Sequence, residues 1–372
     1  MRLVASLLFI GLAIAHGGEP AFLNLLPPRP GNPRNTEGDF IQLKDGRLLF
    51  VYTKFTGGGG DHDAAHLAGR YSSNGGRTWT SDDVVVLERE GDMNVMSVSL
   101  LRLRDGRIAL FYLRKNSETD CHVWMRTSND EARTWSESVR AVTDSGYYVL
   151  NNDRAVQLRS GRIVLPVALH TADSQWTGRG LGMVYLSDDA GKTWRRSKQV
   201  VECPTPSPTG LQEPGIVELK DGRLMMFFRT RLGSQYISYS RDGGDTWTKP
   251  GPSKLLSPVS PASIERIPKT GHLLAVWNDH TDIDESFRAR DTGETASGGK
   301  RTPLTVAISR DEGKTWEKRK HIRDAPDGWY CYTAIDFVGD NVLLAYVAGG
   351  EDRLARLSRT QVAVLPVEWI YQ

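Results

Sequence analysis

The stretch Ser240 to Trp247, SRDGGDTW, decides the fold, because the chain repeats it five times with small changes. The other copies are Ser72 to Trp79 (SSNGGRTW), Ser128 to Trp135 (SNDEARTW), Ser187 to Trp194 (SDDAGKTW) and Ser309 to Trp316 (SRDEGKTW). Their tryptophans stand 56, 59, 53 and 69 residues apart. That spacing has room for about four short strands with their turns, which is one blade of a propeller. Within each copy the Asp (Asn74 in the first) can accept hydrogen bonds from backbone N–H groups two residues on, and Gly supplies positive φ at the tight point. The Trp then drops back as a large apolar plug. A residue repeated on every blade cannot mark a single site, so the octapeptide is read as structural.

A second pattern interleaves with the first. Apolar runs flank a tight turn in LKDGRLLFVY (43–52), LRDGRIALFY (103–112), LRSGRIVLPV (158–167) and LKDGRLMMFF (219–228), and in degraded form in IPKTGHLLAVW (267–277) and FVGDNVLLAYV (337–347). Asp-Gly between apolar, β-prone runs is a strong hairpin signal. Six hairpins and five octapeptides predict an all-β, six-bladed propeller, each blade running strand A, hairpin turn, strand B, long loop, strand C, octapeptide, strand D. The sixth blade has no octapeptide because the chain ends there, and the segment near Ala21 to Leu26 is the candidate for its outer strand. Such a path puts the hairpin turns and the octapeptides on one face of the disc. A site is therefore expected on the other face, where B–C loops and the starts of A strands gather.

Composition narrows the function. Residues 2–15 read as a secretory signal, with Arg2, an apolar run from Leu3 to Ile14 and a small-residue cleavage site at Ala13-Ile14-Ala15. Export to the periplasm or medium is the expectation, with residues 16–372 as one propeller domain. No other segment approaches the roughly 18 apolar residues of a membrane span. With 47 basic and 45 acidic residues the net charge is only +2, which makes no electrostatic case for nucleic acid. Three cysteines (Cys121, Cys203, Cys331) allow at most one disulfide. Stability has to come from the sheets.

On the expected site face the sequence gathers Arg34, Glu37, Asp61 and Asp63 from blade one, Asp92, Asn94 and Arg114 from blade two, and Asn152, Asp153, Arg154 and His170 from blade three. Glu213, Arg229 and Arg231 follow from blade four, Arg301 from blade five, and Tyr330 and Tyr332 from blade six. Several arginines around one pocket repel each other, and the planar guanidinium fork matches a carboxylate, so an acidic sugar is the natural ligand.

The repeated octapeptide is the Asp-box, and its fivefold recurrence resembles the sialidase superfamily of six-bladed propellers, over essentially the whole chain after residue 15. The first copy departs from the pattern with Asn74 for Asp and the second with Ala132 for Gly. LQEPGIVELKDGRLMMFFR (211–229) looks like the family's fourth-blade segment and implies Glu213 and Arg229 as site residues. KRTPLTVAISRDEGKTW (300–316) implies Arg301; YTAI (332–335) resembles the run carrying the nucleophilic Tyr and implies Tyr332; GGGGDHD (57–63) looks like the acid/base loop and implies Asp61, with Asp63 as its understudy. The family's first arginine sits in an Arg-Ile-Pro run about ten residues before the first hairpin Gly, where this chain has Thr36. Arg34, two residues earlier, is the best match, with Arg154 or Arg114 as substitutes.

The resemblance implies an exo-α-sialidase acting on sialylated or other acidic glycans with retention and without a cofactor. Sialic acid carries a carboxylate on its anomeric carbon, which would repel a carboxylate nucleophile, so a neutral Tyr attacks instead. Tyr332 would hand its proton to Glu213 across about 2.6 to 3.2 Å. A protonated Asp61 would serve the leaving oxygen. Other readings are an exo-glycosidase or lyase on another acidic sugar and a non-catalytic carbohydrate-binding propeller; a binding module needs no Tyr/Glu pair. His62 and His66 have i, i+4 spacing, but the preceding tetraglycine argues for a loop rather than a metal-binding helix. The charged stretch from Asp279 to Pro303 reads as a long insertion on the site face.

Overall fold

The computed structural model describes residues 18–283, 299–350 and 355–372. The segment read as a signal, residues 2–15, and most of the 279–303 insertion lie outside the described residues. Six antiparallel sheets form the blades of a β-propeller. Blade one comprises Arg34–Gln42, Leu48–Phe55, Ala65–Ser72 and Val84–Leu87. Blade four repeats this order with Gln212–Glu218, Leu224–Arg229, Ser234–Ser240 and Gly251–Leu256. In blade six, Gly328–Val338, Asn341–Gly350 and Arg359–Pro366 are completed by Ala21–Leu26, which pairs Ala21 with Val364 and Leu26 with Thr360. The two ends of the chain thus close the ring in one sheet, as expected for that segment.

B strands such as LMMFF are buried along their whole length because each blade is sandwiched between two neighbours, so they read as continuous apolar runs rather than as alternation. The outer strands Gly251–Leu256 and Ala21–Leu26 alternate instead over their first four residues. The register pairs Gln212 with Arg229 at one end of a blade and Leu224 with Ser240 at the other. Asp-boxes and hairpin turns therefore share one face, and the site residues lie on the opposite one.

Each Asp-box is a wired turn that also staples a seam. In blade three Ser187 Oγ donates to Asp189 and accepts from Gly191 N–H, both at 2.9 Å. Asp189 accepts from Thr193 N–H at 2.9 Å and from its hydroxyl at 2.6 Å. The Asp therefore reaches four residues on, further than the two-residue reach expected from the sequence. Bonds of this kind contribute about 1 kcal/mol each. Gly191 is left-handed (φ 88°), and a Cβ there would meet Met125 Sδ of blade two at 2.4 Å. Gly76 and Gly313 face Leu343 of blade six and Met225 of blade four in the same manner. The glycine is required for its conformation and for the close approach of the preceding blade. Ala132, at φ 64°, is the tolerated exception.

The axis is plugged by blade three. Its innermost strand is broken into Tyr148–Val149 and Val156–Gln157, and the intervening residues bond to four other blades. Asn152 Nδ2 donates to Gly38 O (3.0 Å) and Tyr332 O (3.1 Å). Asp153 accepts from Ile335 N–H at 2.9 Å, and Arg154 donates to Ala262 O at 2.7 Å and to Ser263 Oγ at 3.3 Å. The Arg154 amide donates to Ser99 Oγ at 2.8 Å. The three cysteines are buried and unpaired.

Below this plug Asp39, Asp153, Glu265 and Asp336 interact as buried carboxyls. Burial, and then mutual repulsion, raises Asp39 and Glu265 well above their usual range. Burial likewise pushes Asp153 up to about 7 and Asp336 to about 6. A carboxyl with a raised folded-state pKa favours the protonated fold, so its contribution is lost as pH rises from the unfolded value near 4 to the folded one. Asp153→Asn should therefore gain stability relative to wild type between about pH 4 and 7, by up to about 1.4 kcal/mol per pH unit. Paired thermal melts at pH 5 and 8 check this; an unchanged gap between the two proteins would show that Asp153 is ionised in the fold.

Candidate active site

Inner strands reach the site face through a bulge. The pairing register slips between Thr36 and Asp39, Met96 and Ser99, Gln212 and Gly215, and Cys331 and Ala334. In each slip one residue is left-handed: Glu37 (φ 51°), Ser97 (58°), Glu213 (46°) and Tyr332 (54°). Asp153 (56°) stands at the corresponding break in blade three. Such a conformation costs a non-glycine residue on the order of 1 kcal/mol or more. Its effect is to turn the side chain off the sheet and, for the first four, into a common cavity of about 460 Å³.

At the floor of that cavity Tyr332 Oη donates to Glu213 Oε1 at 3.1 Å, within the range expected for the pair. Arg229 Nη1 donates to the same oxygen at 2.6 Å. Burial works against the Glu213 charge, but Arg229, Arg301 and the Tyr332 hydroxyl outweigh it and keep the carboxyl below its usual range. Burial and the neighbouring Glu213 push the Tyr332 phenol far up, so it carries its proton at neutral pH. Arg301 enters ahead of the strand Leu304–Ser309, its guanidinium 5.0 Å from the Trp329 ring centre and 5.5 Å from that of Tyr332. It is 4% exposed and lines the cavity.

Arg34 opens the first blade with its fork filled. Nη1 donates to Asp61 Oδ1 at 2.5 Å and to Gly59 O at 3.2 Å, while Nη2 donates to Glu37 Oε1 at 3.0 Å. Asp61 stands in the cavity mouth. Desolvation opposes its charge, yet Arg34 and Lys115 hold it well below the usual carboxylate range. The expectation of a protonated Asp61 is therefore corrected for the ligand-free pocket: a guanidinium in contact keeps it ionised. Lys115 Nζ donates to Asp61 O at 3.1 Å.

The structure brings Asp61, Glu213, Tyr332, Arg229 and Arg301 to one cavity, with Arg34 bonded to its wall. It places two expected binding residues elsewhere. Arg154 is held in the axial plug and lines a separate hollow with Asp153 and Glu265, because its carbonyl partners lie below the site. Asp63 accepts from Gly60 N–H at 2.7 Å and shapes the tetraglycine loop instead of entering the cavity. Arg114, the other substitute, lies over Trp124 at 5.1 Å. His62 lies in that loop facing Tyr147 Oη at 3.3 Å, and His66 is in the strand Ala65–Ser72.

Sequence reasoning missed Ser97, Lys115, Tyr147, Trp176, Trp329 and Arg356 in the lining. Ser97 was within reach. Glu37, Ser97 and Glu213 each stand nine residues before the hairpin glycine of their blade (Gly46, Gly106, Gly222), so one bulge position could have been transferred to the next. Trp176 follows a tight turn at Asp173-Ser174 (φ 49° and 61°) on a hairpin that overhangs the cavity. It is 50% exposed and stacks on His170 at 6.4 Å. Its partner His170 is buried, kept neutral by that burial, and bonded through Nδ1 to Thr177 O at 3.1 Å.

Comparison with known proteins agrees with this architecture. The BNR repeat-like domain family matches residues 46–343. A sialidase from Micromonospora viridifaciens is 25% identical over 363 residues, covering 87% of this chain and 52% of its own length. The chain thus spans about half the length of that curated relative. Among solved structures, a protein of unknown function from Dyadobacter fermentans superposes with a TM-score of 0.72 at 18% identity, covering 94% of this chain and 98% of its own. A Trypanosoma rangeli sialidase, solved in complex with 2,3-difluoro-KDN, gives 0.69 at 14% identity, covering 94% of this chain and 59% of its own. With its six blades, its repeated octapeptides and a family match over most of its length, the chain belongs to the BNR-repeat, or sialidase, superfamily.

Proposed function

We propose that the protein is an exported exo-α-sialidase that releases terminal sialic acids from glycoconjugates with retention. The observation that carries this reading is the 3.1 Å contact between Tyr332 Oη and Glu213, set beside two arginines that line the same cavity. A buried tyrosine that keeps its proton is a poor nucleophile until a base takes that proton. Glu213, held ionised by Arg229 and in contact with the hydroxyl, is that base. Arg229 and Arg301 receive the carboxylate on the anomeric carbon. Tyr332 Oη then bonds to that carbon as its proton passes to Glu213, and the bond to the leaving oxygen breaks.

Asp61 supplies the proton to the leaving oxygen. In the empty pocket it is ion-paired with Arg34, and the glycosidic oxygen of a bound substrate, which can accept a hydrogen bond only from the neutral carboxyl, is what draws a proton to it. In the second step Asp61 takes a proton from water, which attacks the anomeric carbon from the side the aglycone left, while Tyr332 recovers its proton from Glu213. The filled fork of Arg34 favours, as a second reading, a different acidic sugar. Uronic acid glycosides assayed beside sialosides separate the two.

Tyr332→Phe should lower kcat on a fluorogenic sialoside by about 1,000-fold or more, with an unshifted melting temperature and retained affinity for sialic acid, since only a hydroxyl is lost. Full turnover in this variant would remove the nucleophile from the mechanism. Trp176→Ala, which deletes an exposed aromatic face above the cavity, should raise KM about tenfold with kcat within about twofold. A change confined to kcat would place Trp176 outside substrate binding.

A further inference from the structure

Glu37 is a carboxylate that the proposed mechanism does not use, built into the pocket at the point where a ligand carboxylate would arrive. It occupies the bulge position that in blades four and six is held by Glu213 and Tyr332. One oxygen accepts from Arg34 Nη2 at 3.0 Å and the other from the Ser97 hydroxyl. Its side chain is 5% exposed, so little solvent reaches it to replace either partner. Arg34 spends its other terminal nitrogen on Asp61. An acidic ligand that engages Arg34 must therefore share that guanidinium with a buried negative charge.

Two carboxylates can satisfy the competition differently. Asp61 sits in the mouth with its side chain 60% exposed and can turn to solvent with its charge intact. Glu37 has no such exit. The groups facing it are Arg34 on its own strand, Asp61 on the glycine loop, Ser97 and Lys115 from blade two, Tyr147 from blade three and Tyr332 from blade six. Both phenols stay neutral because burial raises them. Burial also raises Glu37, against the opposing charge of Arg34. A second anion beside it acts in the same direction as burial.

We propose that Glu37 is a specificity-determining residue that takes up one solvent proton when an acidic sugar engages Arg34, so that the pocket admits anionic ligands as anion-plus-proton pairs. The neutral carboxyl keeps Ser97 Oγ as a hydrogen-bond partner with the roles reversed and releases Arg34 Nη2 to the ligand. This rests on the reading of the cavity as an acidic-sugar site. Binding should weaken as pH rises beyond the titration of Glu37, approaching tenfold per pH unit, the limit for one linked proton.

The test is isothermal titration calorimetry of the full chain with the unsaturated sialic acid 2-deoxy-2,3-dehydro-N-acetylneuraminic acid from pH 5 to 9, in buffer pairs of different ionisation enthalpy. Wild type is expected to take up close to one proton at the maximum and to lose affinity progressively above it. Glu37→Gln, which keeps the shape, should take up none there and bind with a flat pH profile. Ser97→Ala, which removes a donor to the ionised carboxylate, should move the wild-type fall to higher pH. Binding by wild type without proton uptake, or uptake that survives in Glu37→Gln, would overturn the proposal. Absence of binding by wild type at every pH would instead overturn the acidic-sugar reading beneath it.

Discussion

Six inner strands converge on one axis, and the backbone groups that meet there can neither pair with each other across the centre nor be left dry. Buried amides and carbonyls need partners, at a cost of about 1 to 3 kcal/mol for each one left without. Blade three resolves this by giving up a continuous inner strand. Its residues 151–154 become a plug whose side chains bond to blades one, five and six and whose backbone bonds to blade two. Everything on the site face stands on that plug. Asn152 holds the carbonyl of Tyr332 itself, so the position of the candidate nucleophile is set from a different blade.

The ring around the plug is held by seams. Asp-box glycines let one blade press against the last, as Gly191 does on Met125, and the box tryptophans fill the remaining gap, as Trp194 does against Phe111 at 6.0 Å. The final seam lies inside a sheet, where Ala21–Leu26 and Arg359–Pro366 pair. Ring closure thus rests on backbone hydrogen bonds between Ala21–Leu26 and Arg359–Pro366, which complete the sixth blade.

Chemistry enters through the bulges. A regular inner strand would project its side chains into the neighbouring blades, where they would be core. A left-handed residue at the slip turns one side chain per blade toward the axis, and four of these positions carry Glu37, Ser97, Glu213 and Tyr332. The pocket that results is charged but nearly self-neutralised: Arg34 is divided between Asp61 and Glu37, and Arg229 is bonded to Glu213. Each of these arginines is therefore already engaged before any ligand arrives. In the ligand-free pocket Arg34 and Lys115 hold Asp61 ionised, while burial works against the charge of Glu37.

Local sequence determined a good deal here, because the Asp-box and the Asp-Gly hairpin are short-range hydrogen-bonding patterns that carry their own conformation. From their count and spacing came the number of blades, a vacancy in the sixth for which Ala21–Leu26 was the candidate, and the face on which Glu213, Tyr332, Arg229 and Arg301 meet. Only tertiary structure decided that Arg154 belongs to the axial plug, that Asp63 braces a glycine loop, that Asp61 is ion-paired in the empty pocket, and that Trp176 overhangs it. The reason is physical. A turn is set by neighbours a few residues away, whereas the charge state of a carboxyl and the partner of a buried arginine depend on which groups, tens or hundreds of residues distant, the closed ring brings to the same few ångströms.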